Sequence, residues 1–184
     1  MSLRHAILGL LTFEPMSGYT LKSRYFDKSV AYFWPADQAQ IYRTLQALEA
    51  DGAVSSETVE NDKRPNQKQY SITGAGEREL REWLAAIHPP VTQKDGFLVQ
   101  LYFARMLSRH QILRVLQAQR DTHRQLQDHF DNLVLPAADT ATMKRQVRFG
   151  GLTLDYARRR EKMLVEWLDA CIAAVQEWPE QESI

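Results

Sequence analysis

Cysteine is nearly absent: the single Cys171 excludes an internal disulfide and fits a reducing cytoplasm. Long apolar runs are missing too. None approaches the ~18–20 residues a membrane span requires, so no membrane partner is expected. The apolar start, Leu3 to Phe13, runs into Glu14-Pro15 without a small-residue cleavage site and reads as a first helix, not a signal peptide. There is no glycine-rich phosphate loop and no Gly-x-Ser-x-Gly. The five histidines, at 5, 88, 110, 123 and 129, form no metal-ligand spacing, and His123 and His129 do not share a helix face. With no acid–base pair or nucleophile in a catalytic setting, an enzyme is the least expected class, and no metal or cofactor is expected. Neither sign of charge is in excess, since 23 Lys+Arg meet 23 Asp+Glu. Residues 1–90 hold ten basic and eleven acidic side chains. Any surface that grips phosphate must therefore be local.

What remains is an ordinary globular composition, 44% hydrophobic and 25% charged over 184 residues, enough for one domain or two small ones. Helical spacing of Leu3, Ile7, Leu8, Leu10 and Leu11 predicts a helix over 3–13, ended by Pro15. Ser17 is a candidate N-cap for a helix from Gly18 to about Phe26. After the aromatic Tyr32-Phe33-Trp34-Pro35, Asp37 caps a third helix over 37–51 that stops at Gly52. Ser55–Val59 and Gln69–Ile72 then read as the strands of a hairpin whose turn carries Lys63, Arg64 and Lys68 among the acids Glu60 and Asp62. A fourth helix begins at Gly74 and runs to about Ile87, with Leu80, Trp83, Leu84 and Ile87 on one stripe. His88-Pro89-Pro90-Val91 breaks it and divides the chain into domains 1–88 and 92–180.

Helix, strand, basic turn, strand, helix is the layout of a winged helix, an α+β arrangement that points to DNA. On a wheel the third helix gathers Ile41, Leu45 and Leu48 on one side. Arg43, Gln46 and Ala39 point the other way, flanked by Tyr42, Gln38 and Gln40. Arg and Gln on such a face suit purine edges in a major groove, although the same residues also suit a solvated helix. Lys63, Arg64 and Lys68 suit phosphate or minor-groove contact.

The second half reads as helix throughout: Asp95–Leu107, a longer helix capped by Ser108 and running to about Val134, and a last one from about Thr140 to Trp178. That last helix, roughly 55–60 Å long, is expected to bend at Gly150-Gly151. Its stripe of Leu164, Trp167, Leu168, Cys171, Ile172, Val175 and Trp178 exceeds what so small a domain can cover. Leu164, Trp167, Leu168, Ile172 and Val175 are therefore the expected dimerisation residues of an antiparallel long-helix domain. Cys171 lies within this stripe as an inert thiol. The basic run Arg158-Arg159-Arg160 with Lys162 reads as a solvated face paired with Asp155, Glu161 and Glu166.

Three segments carry a resemblance: Gly18-Tyr19-Thr20-Leu21; Ile41-Tyr42-x-x-Leu45-x-x-Leu48-Glu49-x-x-Gly52-x-Val54; and Tyr70-x-Ile72-Thr73-x-x-Gly76. Their joint spacing resembles the winged helix of PadR-type transcriptional regulators over about residues 3–88. The C-terminal half is similar, more loosely, to the helical dimerisation domain of the virulence-activator branch, which Tyr32-Phe33-Trp34 also favours. The resemblance implies a homodimeric, sequence-specific bacterial DNA binder on a pseudo-palindromic operator. It implies Gln38, Gln40, Tyr42 and Arg43 as groove or phosphate contacts, and Lys63, Arg64 and Lys68 as wing contacts. Many members carry proline after the motif tyrosine, where this chain has Arg43. Two alternatives stay open: a winged-helix adaptor that binds proteins without DNA, and a ligand-responsive repressor whose effector occupies an apolar pocket in the helical half.

Overall fold

The computed structural model describes residues 2–59, 67–89, 94–137 and 139–179. They divide into two compact units, Met1–Val91 and Thr92–Ile184.

In the first unit the order is α1 (Ser2–Leu11), β1 (Met16–Ser17), α2 (Gly18–Leu21) continuing as a π-helical turn through Lys22–Phe26, α3 (Gln38–Ala50), β2 (Val54–Val59), β3 (Gln67–Ile72) and α4 (Gly74–Ala85). β3 lies between β1 and β2, antiparallel to both. The strand β1 is not anticipated by the sequence, because a pair registering Met16 on Tyr70 and Ser17 on Gln69 is too short to show alternation. Ile7, Leu8 and Leu11 from α1, Leu21 and Phe26, and Ile41, Leu45 and Leu48 from α3 close over Val54 and Tyr70 of the sheet.

Local chemistry sets the ends of these elements. Ser17 Oγ accepts from the Thr20 amide, and Asp37 caps α3 in a reciprocal box with Gln40. At the far end of α3, Gly52 takes φ +70°. The Ala53 amide donates back to Leu48 O and the Gly52 amide to Glu49 O, the paired bonds of a Schellman stop. Thr73 caps α4. Its hydroxyl also donates to Gly52 O at 2.7 Å. Gly76 then passes so close to Ala53 that a Cβ there would stand 2.1 Å from the Ala53 carbonyl oxygen. Arg4 joins three helices, bonding Glu79 of α4 through two nitrogens and Asp51 at 2.7 Å.

α4 is shorter than its apolar stripe suggests. It ends at Ala85, Leu80 is buried, and Leu84 and Ile87 are exposed. Trp83 is instead covered by ring stacking, with His5 at 4.5 Å and His88 at 4.8 Å between centroids.

The second unit comprises α5 (Gly96–Tyr102), a 3-10 turn (Ala104–Met106), α6 (Arg109–Asp131) and α7 (Ala141–Gln176). The single helix expected over Asp95–Leu107 is thus broken at Phe103. α6 stops before Val134 because Arg158 of α7 donates to the Phe130, Asp131 and Leu133 carbonyls, satisfying acceptors that another helical turn would have used. α7 stays helical through Gly150-Gly151. A Cβ on Gly151 would meet the Leu135 side chain at 3.5 Å, an ordinary contact, so packing there does not require glycine.

α6 and α7 run antiparallel, as Arg109–Trp178, Arg120–Asp169 and His123–Glu161 contacts require. Between them Ile112, Leu116, Leu168, Ile172 and Val175 form a core, with Phe97 and Leu101 of α5 against it. Glu161, 2% exposed, is the buried charge of this seam; His123 Nδ1 stands 2.6 Å and Arg160 3.3 Å from its oxygens. Arg159 and Lys162 pair with Asp155 and Glu166. The basic run is thus neutralised within the unit. Burial pushes the Cys171 thiol up, away from the thiolate a redox sensor would need.

Gly76→Ala is expected to destabilise the first unit by about 1–3 kcal/mol, because the atom in the way is backbone. A urea unfolding curve matching wild type would contradict this packing. A second expectation concerns acid. Hydrogen bonds from Arg4 hold the Glu79 carboxyl below its ordinary value of 4.5. A lowered folded-state value adds stability above the unfolded pKa that is lost as pH falls through the folded one. Glu79→Gln should therefore cost about 1 kcal/mol or less at pH 7 and flatten the acid limb below about pH 4.5, read by thermal melts across pH.

Candidate nucleic-acid interface

The wall of α3 formed by Ile41, Leu45 and Leu48 is fully buried, which fixes the orientation of everything else on that helix. Gln38, Ala39, Arg43 and Gln46 are exposed on the opposite face. Arg43 is held upright along its own helix by an Nε bond to Ala39 O at 3.3 Å. Its two terminal NH2 groups keep donors for another molecule. Tyr42, on the flank, is half-buried. Its ring fills the space a side chain on Gly18 would take, since a Cβ there would lie 2.7 Å from Tyr42 Cε1. That packing accounts for the joint occurrence of Gly18 and Tyr42 and seats α2 against α3.

Gln40 has a second duty. Its Oε1 accepts from the Asp37 amide at 2.9 Å, while its own amide donates to Asp37 Oδ1 at 2.7 Å. Only its side-chain NH2 is left to meet another molecule.

In the wing, Ser56 faces Tyr70 and Thr58 faces Lys68. Lys68 Nζ lies 2.7 Å from Glu49 Oε2 on the last turn of α3. It also stands 5.3 Å from the centroid of the Tyr70 ring. Ser56 Oγ donates to the other Glu49 oxygen. The bonds from Lys68 and Ser56 lower the Glu49 carboxyl, and the bond to Glu49 raises the Lys68 ammonium, so both stay charged. The expectation of Lys68 as a wing contact thus meets a lysine already paired inside the unit. Sequence alone assigns Glu49 no partner; its place in the Leu48-Glu49-x-x-Gly52 run was the available signal. Lys63 and Arg64 lie outside the described residues. Beside α3, Phe33 is exposed and Tyr32 and Trp34 are partly so.

The expected dimerisation stripe meets a different fate. Leu168, Ile172 and Val175 are buried against α6 of the same chain, and Leu164 and Trp167 are partly buried, Trp167 edge-on to Phe97 at 6.2 Å. The uncovered apolar surface of α7 lies elsewhere, at Phe149, Leu152, Tyr156 and Met163. Their spacing of three, four and seven residues keeps them on one face, roughly opposite the buried one. The sequence stripe covered only residues 164–178 and left this second apolar face, which lies N-terminal to it on the helix, unread.

Among the described residues, no helix is long and apolar enough to cross a membrane. Residues 7–82 match the model of the transcriptional regulator PadR-like family, and residues 93–176 match that of the virulence activator alpha C-terminal domain. The negative transcriptional regulator PadR of Bacillus subtilis is 34% identical over 179 residues, covering 94% of this chain and 97% of the relative. Its crystal structure in complex with operator DNA is similar at a TM-score of 0.79 and 31% identity, over 95% of this chain and 99% of that one. The same protein in complex with p-coumaric acid gives a TM-score of 0.74 at 32% identity, over 95% and 99%. A winged helix built on Gly18, Tyr42, Gly52 and Gly76, followed by a two-helix arm, and these two family matches make the chain a member of the PadR-like family of transcriptional regulators.

Proposed function

We propose that the chain is a sequence-specific DNA-binding regulator that acts as a homodimer in the cytoplasm, without catalysis. Residues 1–88 are its DNA-binding domain and 92–180 its dimerisation domain. The observation that carries this reading is the exposed Gln38–Arg43–Gln46 face of α3 beside a wing, on a helix whose opposite face is fully buried. A relative sharing 31% identity was crystallised on operator DNA with the same fold.

In this reading α3 enters the major groove. Arg43 and Gln46 address base edges, and Gln38, the free NH2 of Gln40 and the Tyr42 hydroxyl address base or phosphate. Lys63 and Arg64 supply wing contacts. Two copies place two such helices on half-sites about one turn, ~34 Å, or a small multiple apart. The second copy covers the Phe149, Leu152, Tyr156 and Met163 face of α7. Because p-coumaric acid binds the Bacillus subtilis relative, phenolic acids are the first effectors to test against DNA retention.

Arg43→Ala should weaken operator binding by about 1–3 kcal/mol and relax preference at one base pair. Fluorescence anisotropy on duplexes from the protein's own upstream region measures this, and unchanged affinity with unchanged sequence preference sinks the docking. Leu152→Glu with Tyr156→Glu should turn the dimer into a monomer by sedimentation while circular dichroism stays helical. A dimer that persists in this variant removes the α7 stripe as the interface.

A further inference from the structure

Alternation along the wing decides what Lys68 can do. Val54, Ser56 and Thr58 project from one face of the hairpin, opposite Ile72, Tyr70 and Lys68. Val54 and Tyr70 are buried, so this is the face that covers the helices. Lys68 and its partner Thr58 are therefore the outermost described pair of the inner face. There Lys68 meets Glu49, the only carboxylate bonded to it among the described residues. The other Glu49 oxygen takes the Ser56 hydroxyl from the neighbouring strand. One carboxylate at the end of the reading helix thus holds both strands of the wing.

We infer that Glu49 is a positioning residue: it clamps β2 and β3 to α3, fixes the wing relative to the reading face, and employs Lys68 as a structural cation in place of a phosphate contact. The inference rests on the reading of α3 and the wing as the DNA-binding surface. It assigns opposite consequences to substitutions that a phosphate contact and a clamp would otherwise share. A phosphate-bound lysine releases counterions on binding, so its loss reduces the slope of log K against log[salt] by about 0.9. A clamped lysine leaves that slope alone. A clamp is also symmetric in sign: Lys at 49 and Glu at 68 would rebuild it, whereas Glu at 68 beside a phosphate would repel.

The test uses the full chain, an operator duplex and a potassium chloride series. Glu49→Gln and Lys68→Met (which keeps the stem over Tyr70) should each weaken operator binding by roughly two- to fivefold, the scale of one exposed ion pair. The salt slope should match wild type, and the two substitutions combined should cost no more than either alone. Glu49→Lys with Lys68→Glu should restore most of the affinity. Hydrogen exchange of the free protein reads the clamp without DNA: amides of residues 54–59 and 67–72 should exchange faster in each single variant and slow again in the exchanged pair. Four results overturn the inference: a slope lowered by about 0.9 in Lys68→Met, tighter binding in Glu49→Gln, an exchanged pair that binds worst of all, or wing protection equal to wild type in the single variants. Failure of the wild-type chain to retain operator duplex would refute the DNA reading alone, because the exchange measurement still decides the clamp.

Discussion

The first unit hangs on two consecutive carbonyls, those of Gly52 and Ala53. The Gly52 oxygen takes the Thr73 hydroxyl, the Ala53 oxygen takes the Thr73 amide, and Gly76 leaves the room that lets α4 pass over them. The end of α3, the start of β2, the end of β3 and the start of α4 are thereby tied at one point. Moving any of them rotates the others. The exposed face of α3 therefore inherits its direction from a turn on the far end of the helix. The separation of Gly52, Thr73 and Gly76 in the sequence records this knot more faithfully than any apolar pattern does.

Charge in the same unit is largely spent internally. Arg4 serves Glu79 and Asp51, Arg24 serves Glu14, Arg81 serves Glu77 and Lys68 serves Glu49. A net balance near zero thus does not describe a surface of free cations facing free anions. It describes pairs, most of them bridging elements distant in sequence. Arg43 differs: its Nε donates to a carbonyl of its own helix, and among the described residues no acid pairs with it. A chain without basic excess thus still leaves one arginine unpaired by acid on the exposed face of α3.

Much of this was legible beforehand. The caps at Ser17, Asp37 and Ser108 appeared where expected, because each depends on a few adjacent residues. The apolar stripe of α3 was equally readable, since Ile41, Leu45 and Leu48 have no alternative use. Long-range pairings were not. β1 is two residues long and exists only because β3 lies beside it. The end of α6 is set by Arg158, 27 residues beyond it in the chain. Lys68 looked like a free wing cation because its partner, Glu49, is 19 residues away on another element. On α7 the period was legible, but the partner of the stripe was not: Leu168, Ile172 and Val175 pack on α6 of the same chain, which the sequence does not place beside them.

Those two faces have a consequence for the life of the molecule. The residues that build the arm's own core, Leu168, Ile172 and Val175, and the exposed Leu152 and Tyr156 lie on opposite faces of one continuous helix, offset along its length. Once a second copy occupies the open face, folding and association become one equilibrium, and the arm's stability rises with protein concentration by mass action. By the same linkage a dilute chain would lose that contribution, so the helix that carries an open apolar face would also tie the arm's stability to the amount of protein present.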